Sequence, residues 1–146
     1  MNQMIWTLLA SVTGTAGFCI LFHIAPRHLP LSIAGGMLTC GLYLLLNECM
    51  ENLFLVCMCS AVFATLYAEC MARLRKAPAT VYLIPAIITL IPGGMLYYTM
   101  QYLVIWNREK FMTYGLRTAQ TGLGIAVGIM AVTAAFSLLR SVFPKK

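Results

Sequence analysis

The sequence predicts an all-α membrane protein with five transmembrane helices, the fourth of which is broken by proline and glycine. Of the 146 residues, 61% are hydrophobic and only 10% are charged, and the mean hydropathy is +0.85. Soluble domains carry about 25% charged residues, so this chain has too few to cover a surface that faces water. We therefore expect a single transmembrane domain over residues 1–146, with no separate soluble domain.

Five apolar segments are each long enough for a membrane span. A hydrocarbon core of about 30 Å requires roughly 20 helical residues. Prolines and basic clusters separate the segments, and the first lacks the positively charged start of a signal peptide, so we expect it to be a true span. The predicted spans cover about residues 4–25, 31–46, 53–71, 80–106 and 118–139.

The distribution of lysine and arginine predicts the orientation of the chain. With five spans, one side of the membrane receives Arg108, Lys110 and Arg117, and the other receives the remaining seven basic residues. The positive-inside rule assigns the larger set to the cytoplasm. We therefore expect a multi-pass protein of the inner (plasma) membrane with its N-terminus outside and its C-terminus inside. The alternative, a re-entrant fourth segment, would change this count. The larger set is Arg27, Arg73, Arg75, Lys76, Arg140, Lys145 and Lys146.

The fourth segment is the most informative part of the sequence. As one continuous helix, residues 80–106 would measure about 40 Å, which exceeds the thickness of the hydrocarbon core. Proline removes a backbone donor, and the glycines that follow Pro92 add conformational freedom. We expect two half-helices that meet near the middle of the membrane. Such a break is tolerated only where protein or a water-lined cavity covers it.

A broken membrane helix is a candidate binding site for a small carboxylate. The second half-helix would begin at about Gly94, with free N–H groups and a positive dipole end, so no charged side chain is needed. Broken helices of this kind form the substrate sites of many secondary transporters. The alternative is a proline-kinked helix without a ligand. The predicted substrate-binding residues are Pro85, Thr89, Pro92, Gly93, Gly94 and Tyr97.

Two further groups of residues have a structural and a functional interpretation. Glu69 and Arg73 are four residues apart, in the order that favours a helical ion pair; the functional alternative makes Glu69 a proton-coupling carboxylate. His23 and His28 flank the first loop and are expected to be solvated, with a proton relay as the less favoured reading.

The fifth predicted span contains a GxxxG pair, Gly124 and Gly128, which indicates close helix packing. Packing within the chain is favoured over contact with another subunit.

Other classes of function find no support in the sequence. The six cysteines lack the spacing of a zinc site, and we predict neither a metal site nor a cofactor. The basic residues sit at the ends of apolar segments and form no continuous face for nucleic acid. No catalytic triad, pair of inward carboxylates or phosphate-binding loop is present, so we do not expect an enzyme.

The run ARLRKAPATVYLIPAIITLIPGGMLY, residues 72–97, resembles the signature region of the threonine/serine exporter family. The basic cluster, the Ala77-Pro78-Ala79-Thr80 run and the prolines of the fourth segment match in type and order. The length, the five spans and the paired glycines of the second span are also similar to the small stand-alone subunit of this family. The resemblance implies a larger homologous membrane subunit, with a soluble N-terminal domain, as partner.

Together, these observations predict a subunit of a secondary transporter that exports small carboxylate metabolites from the cell. Family members are linked to export of threonine and serine, and some two-component systems to export of succinate; the resemblance leaves that choice open. The principal alternative is a membrane scaffold or assembly subunit that does not transport. A small channel-forming oligomer ranks last, because polar residues are too sparse to line a wide aqueous pore.

Overall fold

The computed structural model describes the backbone of residues 2–142 and the side chains of residues 4–139. This part of the chain is helical throughout, with short connections and no strand. Lys145 and Lys146, which contribute to the predicted orientation, lie outside the described residues. The helices are α1 (Asn2–Leu21), α2 (Leu29–Cys49), α3 (Leu53–Arg75), α4 (Thr80–Ile88), α5 (Gly93–Val104) and α6 (Arg108–Val142).

Four helices of the described chain, α1, α2, α3 and α6, are each long and apolar enough to cross a membrane. Helices α4 and α5 meet the same criterion only as a pair, and they are bent by 55° at the break between them. The protein is therefore an all-α membrane protein with four candidate spans in the described chain, or five if the bent pair forms one span, and the predicted break in the fourth segment is confirmed. The limits of each span stay predictions.

Helix α3 lies at the centre of the bundle and packs against α2, α4 and α6. Helix α1 packs against α2 and, over a smaller contact, against α4. Among the described helices, α5 contacts only α6. The second half of the broken segment therefore packs on α6, whereas the first half packs on α1, α2 and α3.

The predicted GxxxG pair forms the contact between α3 and α6. A Cβ atom added at Gly124 would lie 2.6 Å from the carbonyl oxygen of Phe54, and one at Gly128 would lie 2.6 Å from that of Met58. The opposing side chain Ala61 is also small and fully buried. The two backbones can approach closely only because both positions lack a side chain, so these glycines serve packing within the chain.

Pro85 lies inside α4 and makes a backbone carbonyl available to a neighbouring helix. Proline has no N–H group, so the carbonyl of Val81, one turn earlier, receives no helical hydrogen bond from it. The Ser32 hydroxyl of α2 donates to this carbonyl at 3.1 Å. The proline thus exchanges a bond within the helix for one between α2 and α4.

His28 differs from its expected solvated position. It is only 7% exposed, and its Nδ1 atom lies 2.6 Å from the hydroxyl of Tyr82 in α4. Tyr82 is fully buried and supplies a partner 54 residues away in the sequence, which the local sequence around His28 could not indicate. His23 is exposed, as expected.

Helix α6 begins at Arg108, well before the predicted start of the fifth span at residue 118. The side chain of Asn107 accepts a hydrogen bond from the N–H group of Lys110, which stabilises the first turn. Further along, the ring of Tyr114 stacks on that of Tyr102 in α5. The polar residues between 108 and 117, which resemble a loop in composition, therefore belong to a helix supported by α5.

Candidate functional site

The break between α4 and α5 has a defined backbone geometry. Pro92 has φ −80° and ψ 58°, and the Gly93 N–H group donates to the carbonyl of Ile91 at 2.8 Å, which is an inverse γ-turn. The first helical bond of α5 runs from Leu96 N–H to the Pro92 carbonyl. Within the described chain, the N–H groups of Gly94 and Met95 have no acceptor. They form the positive end of the α5 dipole.

The two glycines at the start of α5 lie in open space. A Cβ atom added at Gly93 or Gly94 would meet nothing within 4 Å, and both residues are exposed. Neither has a positive φ. Their lack of a side chain is therefore required neither by packing nor by backbone conformation, but it leaves the backbone accessible to another molecule.

An open cavity of about 750 Å³ lies beside the start of α5. It is bounded by the last turns of α2, the connection to α3, the start of α5 and the first third of α6. Most of its lining side chains are polar, which is unusual in a chain with so few charged residues. The lining residues are Tyr43, Asn47, Glu51, Asn52, Leu53, Met95, Arg117 and Gln120.

The cavity contains one cationic and one anionic side chain. Arg117 comes from α6 and Glu51 from the α2–α3 connection, and both are exposed. The only ion pair among the described side chains joins two other residues, so neither group is neutralised by a partner within 4 Å. Arg117 presents five N–H donors that suit a carboxylate, and Glu51 can accept hydrogen bonds from an ammonium group.

Helix geometry explains how these side chains converge. Tyr43 and Asn47 are four residues apart on α2, and Arg117 and Gln120 are three apart on α6, so each pair shares one helix face. Asn52 caps α3, because its side chain accepts a hydrogen bond from the Phe54 N–H group. The cap holds the short α2–α3 connection at the edge of the cavity.

Of the fourth segment, Met95 is the residue that lines the cavity. The predicted site residues lie next to it in the sequence but take different positions. Pro85 is buried in the bundle, and Thr89 is half-buried with its hydroxyl bonded to the carbonyl of Ala86. Pro92 is half-buried beside the two exposed glycines. Tyr97 is 66% exposed, and its ring contacts that of Tyr98.

Glu69 and Arg73 lie at the far end of α3. Their closest side-chain atoms are 4.0 Å apart, at the limit of an ion pair, and Arg73 also lies over the ring of Phe136 in α6. Both contacts order the end of α3 against its neighbour. A coupling role for Glu69 stays a prediction.

Sequence reasoning did not assign the polar residues of the cavity to a site. Arg117 was counted as a topology signal in a loop, because the fifth span was expected to begin after it. One signal was available in the sequence. Arg117 and Gln120 each lie four residues before a residue of the small-residue face, Thr121 and Gly124, and Gly124 packs on α3. An arginine beside a membrane span is a candidate functional residue, although Arg117 itself is exposed at the cavity.

The family comparison agrees with this architecture. The family model described as "Threonine/Serine exporter, ThrE" matches residues 7–135. The chain belongs to the threonine/serine exporter family. The match includes all of α2 to α5, most of α1 and α6, and every residue that lines the cavity. Neither a curated protein nor a solved structure matches the chain. Membership in this family makes the chain an exporter-type transporter component of the membrane.

Proposed function

We propose that the chain is a subunit of a secondary transporter that exports small carboxylate metabolites, and that the substrate binds in the cavity beside the break. The observation that carries this proposal is the convergence of Arg117 and the start of α5 on one cavity. The predicted residues at the break contribute accessible backbone, and the cavity contributes the charged side chains that the sequence did not reveal.

The start of α5 and Arg117 would together bind the carboxylate. The unbonded N–H groups of Gly94 and Met95 are donors for an anion, and the helix dipole favours negative charge at this end. The guanidinium of Arg117 adds charge-assisted hydrogen bonds of matching geometry. Two independent elements therefore supply donors for the same chemical group.

Glu51 favours an amino acid over a dicarboxylate. A second carboxylate in the cavity would face the carboxylate of Glu51, and like charges repel. The ammonium group of threonine or serine would be attracted to it instead. The amide side chains of Asn47, Asn52 and Gln120 offer hydrogen bonds to a side-chain hydroxyl. We therefore propose threonine or serine, rather than succinate, as the substrate.

A partner subunit would complete the site. The backbone at Gly93 and Gly94 is exposed. If it lies within the membrane, another protein or a water-filled cavity must surround it, because lipid offers no hydrogen-bond partners to its polar groups. Helix α5 contacts only α6 within the described chain, so a second protein can reach it. We propose that this protein is the larger homologous subunit with a soluble N-terminal domain, and that the two halves rock against each other.

We also propose that the protein resides in the inner membrane with its N-terminus outside. In this orientation the α2–α3 connection lies outside, so the cavity opens away from the cytoplasm. The opposite end of the bundle, around His28 and Lys76, faces the cytoplasm. This arrangement corresponds to an outward-open state of an exporter.

Uptake into inside-out vesicles tests the proposal. Labelled threonine, serine and succinate are supplied to vesicles that contain this chain alone, or this chain with its larger partner. We expect gradient-dependent uptake of threonine and serine only when both subunits are present. No uptake in either case, with both proteins confirmed in the membrane, would contradict the proposal and favour the scaffold function.

A pair of variants tests the role of Glu51. Glu51→Gln removes the negative charge from the cavity, whereas Glu48→Gln removes one from an exposed residue nearby that does not line it. We expect the Glu51 variant to lose threonine uptake by about tenfold, the size of one lost charge-assisted hydrogen bond. The Glu48 variant should match the unmodified protein. Equal behaviour of the two variants would remove Glu51 from the site.

A further inference from the structure

A polar face runs along α2 from the residue before its first turn to the cavity. Its members recur every three or four positions, which places them on one side of the helix. The face is unexpected in a helix that is otherwise apolar enough to cross a membrane. Its polar members are His28, Ser32, Thr39, Tyr43 and Asn47, and Gly36 between them lies against Thr15 of α1.

Exposure along this face is high near the cavity and low over the rest of the helix. Asn47 is exposed and Tyr43 half-buried, and both line the cavity. Thr39 and Ser32 are fully buried, and His28 is nearly so. The face is therefore open at the cavity end and closed at the His28 end.

Thr39 occupies the point at which the polar face becomes buried. Its Oγ1 atom is the one fully buried side-chain polar atom of the described residues that has no hydrogen-bond partner. Buried polar groups in proteins are nearly always bonded, so an orphaned hydroxyl calls for an explanation. It lies one turn beyond Tyr43, which lines the cavity.

Contacts between α2 and α4 close the far end. The His28 Nε2 atom accepts a hydrogen bond from Arg27 Nε at 2.9 Å, so the ring proton is on Nδ1 and is donated to the Tyr82 hydroxyl. One turn along α2, Ser32 donates to the Val81 carbonyl that Pro85 leaves free. Two successive residues of α4 therefore bind two successive turns of the polar face.

We propose that the His28–Tyr82 contact is the gate that closes the substrate path at the end opposite the cavity. This inference rests on the proposed function, because it concerns the path from the same cavity. Opening at the His28 end requires α4 to separate from α2, which breaks the hydrogen bonds of Tyr82 and Val81 to that helix. Helix α4 can move without α5, because the break separates them and they make no packing contact within the described chain. The break is then the hinge as well as part of the binding site.

The native residue Cys40 provides a reporter for the gate. It follows Thr39 directly and is 5% exposed, so its thiol is shielded in this structure, and its reactivity toward a thiol reagent is the measure of opening. The reagent is membrane-impermeant and is added to one face at a time of vesicles that hold the chain with its partner. Mass spectrometry of the peptide that contains Cys40 separates its modification from that of the other cysteines.

Tyr82→Phe removes the gating hydroxyl but keeps the ring packed against Ala68 and Ala72. From the face on which His28 lies, we expect Cys40 to react faster by on the order of three- to tenfold, the effect of one lost hydrogen bond on an opening equilibrium. From the cavity face, the rate should not change. His28→Ala removes the same bond from the α2 side and should act in the same direction.

Tyr67→Phe is the matched control. The Tyr67 hydroxyl donates to the Leu31 carbonyl at 2.8 Å, so it joins α2 to α3 at the same end of the bundle without involving α4. The control should leave the reaction of Cys40 unchanged. An unchanged rate in Tyr82→Phe, or an equal increase in Tyr67→Phe, would overturn the gate. The readout needs no substrate, so a failure of the proposed function, seen as absent uptake, is distinguishable from a failure of the gate.

Discussion

Two pairs of glycines in this molecule have opposite environments. At Gly124 and Gly128, an added Cβ atom would lie 2.6 Å from a carbonyl oxygen of α3. At Gly93 and Gly94, it would meet nothing within 4 Å. The first pair lets two helices pack, and the second leaves a helix start accessible beside a polar cavity. A glycine pair in a membrane helix therefore does not by itself indicate packing, and only its surroundings decide.

The largest effect is expected at the packed pair. Gly128→Leu would drive a side chain into the backbone of α3, and α6 would have to move away from it. Overpacking of a well-packed core typically costs about 1–3 kcal/mol, and a clash with backbone should reach or exceed the upper value. Thermal unfolding of the purified protein in detergent should show a clear loss of Tm or no folded protein. An unchanged Tm would contradict the close contact between α3 and α6.

The open pair should respond in the opposite way. Replacement of both Gly93 and Gly94 by leucine should abolish transport, because the side chains would cover the start of α5. The chain itself should still fold, since the new side chains meet no described atom of it. Uptake in vesicles and the Tm of the purified chain measure the two outcomes. Unchanged transport would contradict the assignment of the break to the substrate site.

A smaller effect is expected where α5 meets α6. The Thr99 hydroxyl donates to the carbonyl of Met95 and lies 3.3 Å from the Thr118 hydroxyl. Thr99→Val keeps the shape but loses these bonds, which should cost about 1 kcal/mol. Thermal unfolding should show a modest decrease in Tm, well below that of Gly128→Leu. A decrease in Tm as large as that of Gly128→Leu would mean that the contact between α5 and α6 contributes more to the stability of the protein than these hydrogen bonds indicate.

The smallest effect is expected at Glu69 and Arg73. Their closest side-chain atoms are 4.0 Å apart, and Arg73 is more than half exposed. Exposed ion pairs of this kind contribute about 0–1 kcal/mol to the free energy of unfolding. Glu69→Gln should therefore change neither the Tm nor threonine uptake appreciably. If uptake is lost while the Tm is kept, Glu69 has the coupling role that its acidic side chain also allows.

The fold could be predicted largely from local patterns in the sequence. The length of the apolar segments predicted the helical membrane architecture. Pro92, followed by Gly93 and Gly94, predicted the break between α4 and α5. The spacing of Gly124 and Gly128 predicted close packing. Each of these signals lies within one segment, where proline, glycine and apolar length act directly on the backbone.

The cavity could not be predicted, because no single segment contains it. Asn47, Glu51, Arg117 and Gln120 come from α2, from the connection that follows it and from α6. In the sequence they resemble ordinary polar residues at the ends of spans. His28 shows the same limit, because its partner Tyr82 is 54 residues away. Long-range packing, and not local propensity, brings these groups together.

The most direct test of the central claim is whether threonine binding depends on Arg117. The Tm of the complex with its partner is measured with and without threonine for the unmodified protein, Arg117→Gln and Arg108→Gln, because a ligand that binds the folded state raises the Tm. Arg108 is an exposed cation on the same helix that does not line the cavity. We predict that threonine raises the Tm of the unmodified protein and of Arg108→Gln but not of Arg117→Gln. An equal increase in all three proteins would contradict a substrate site in this cavity.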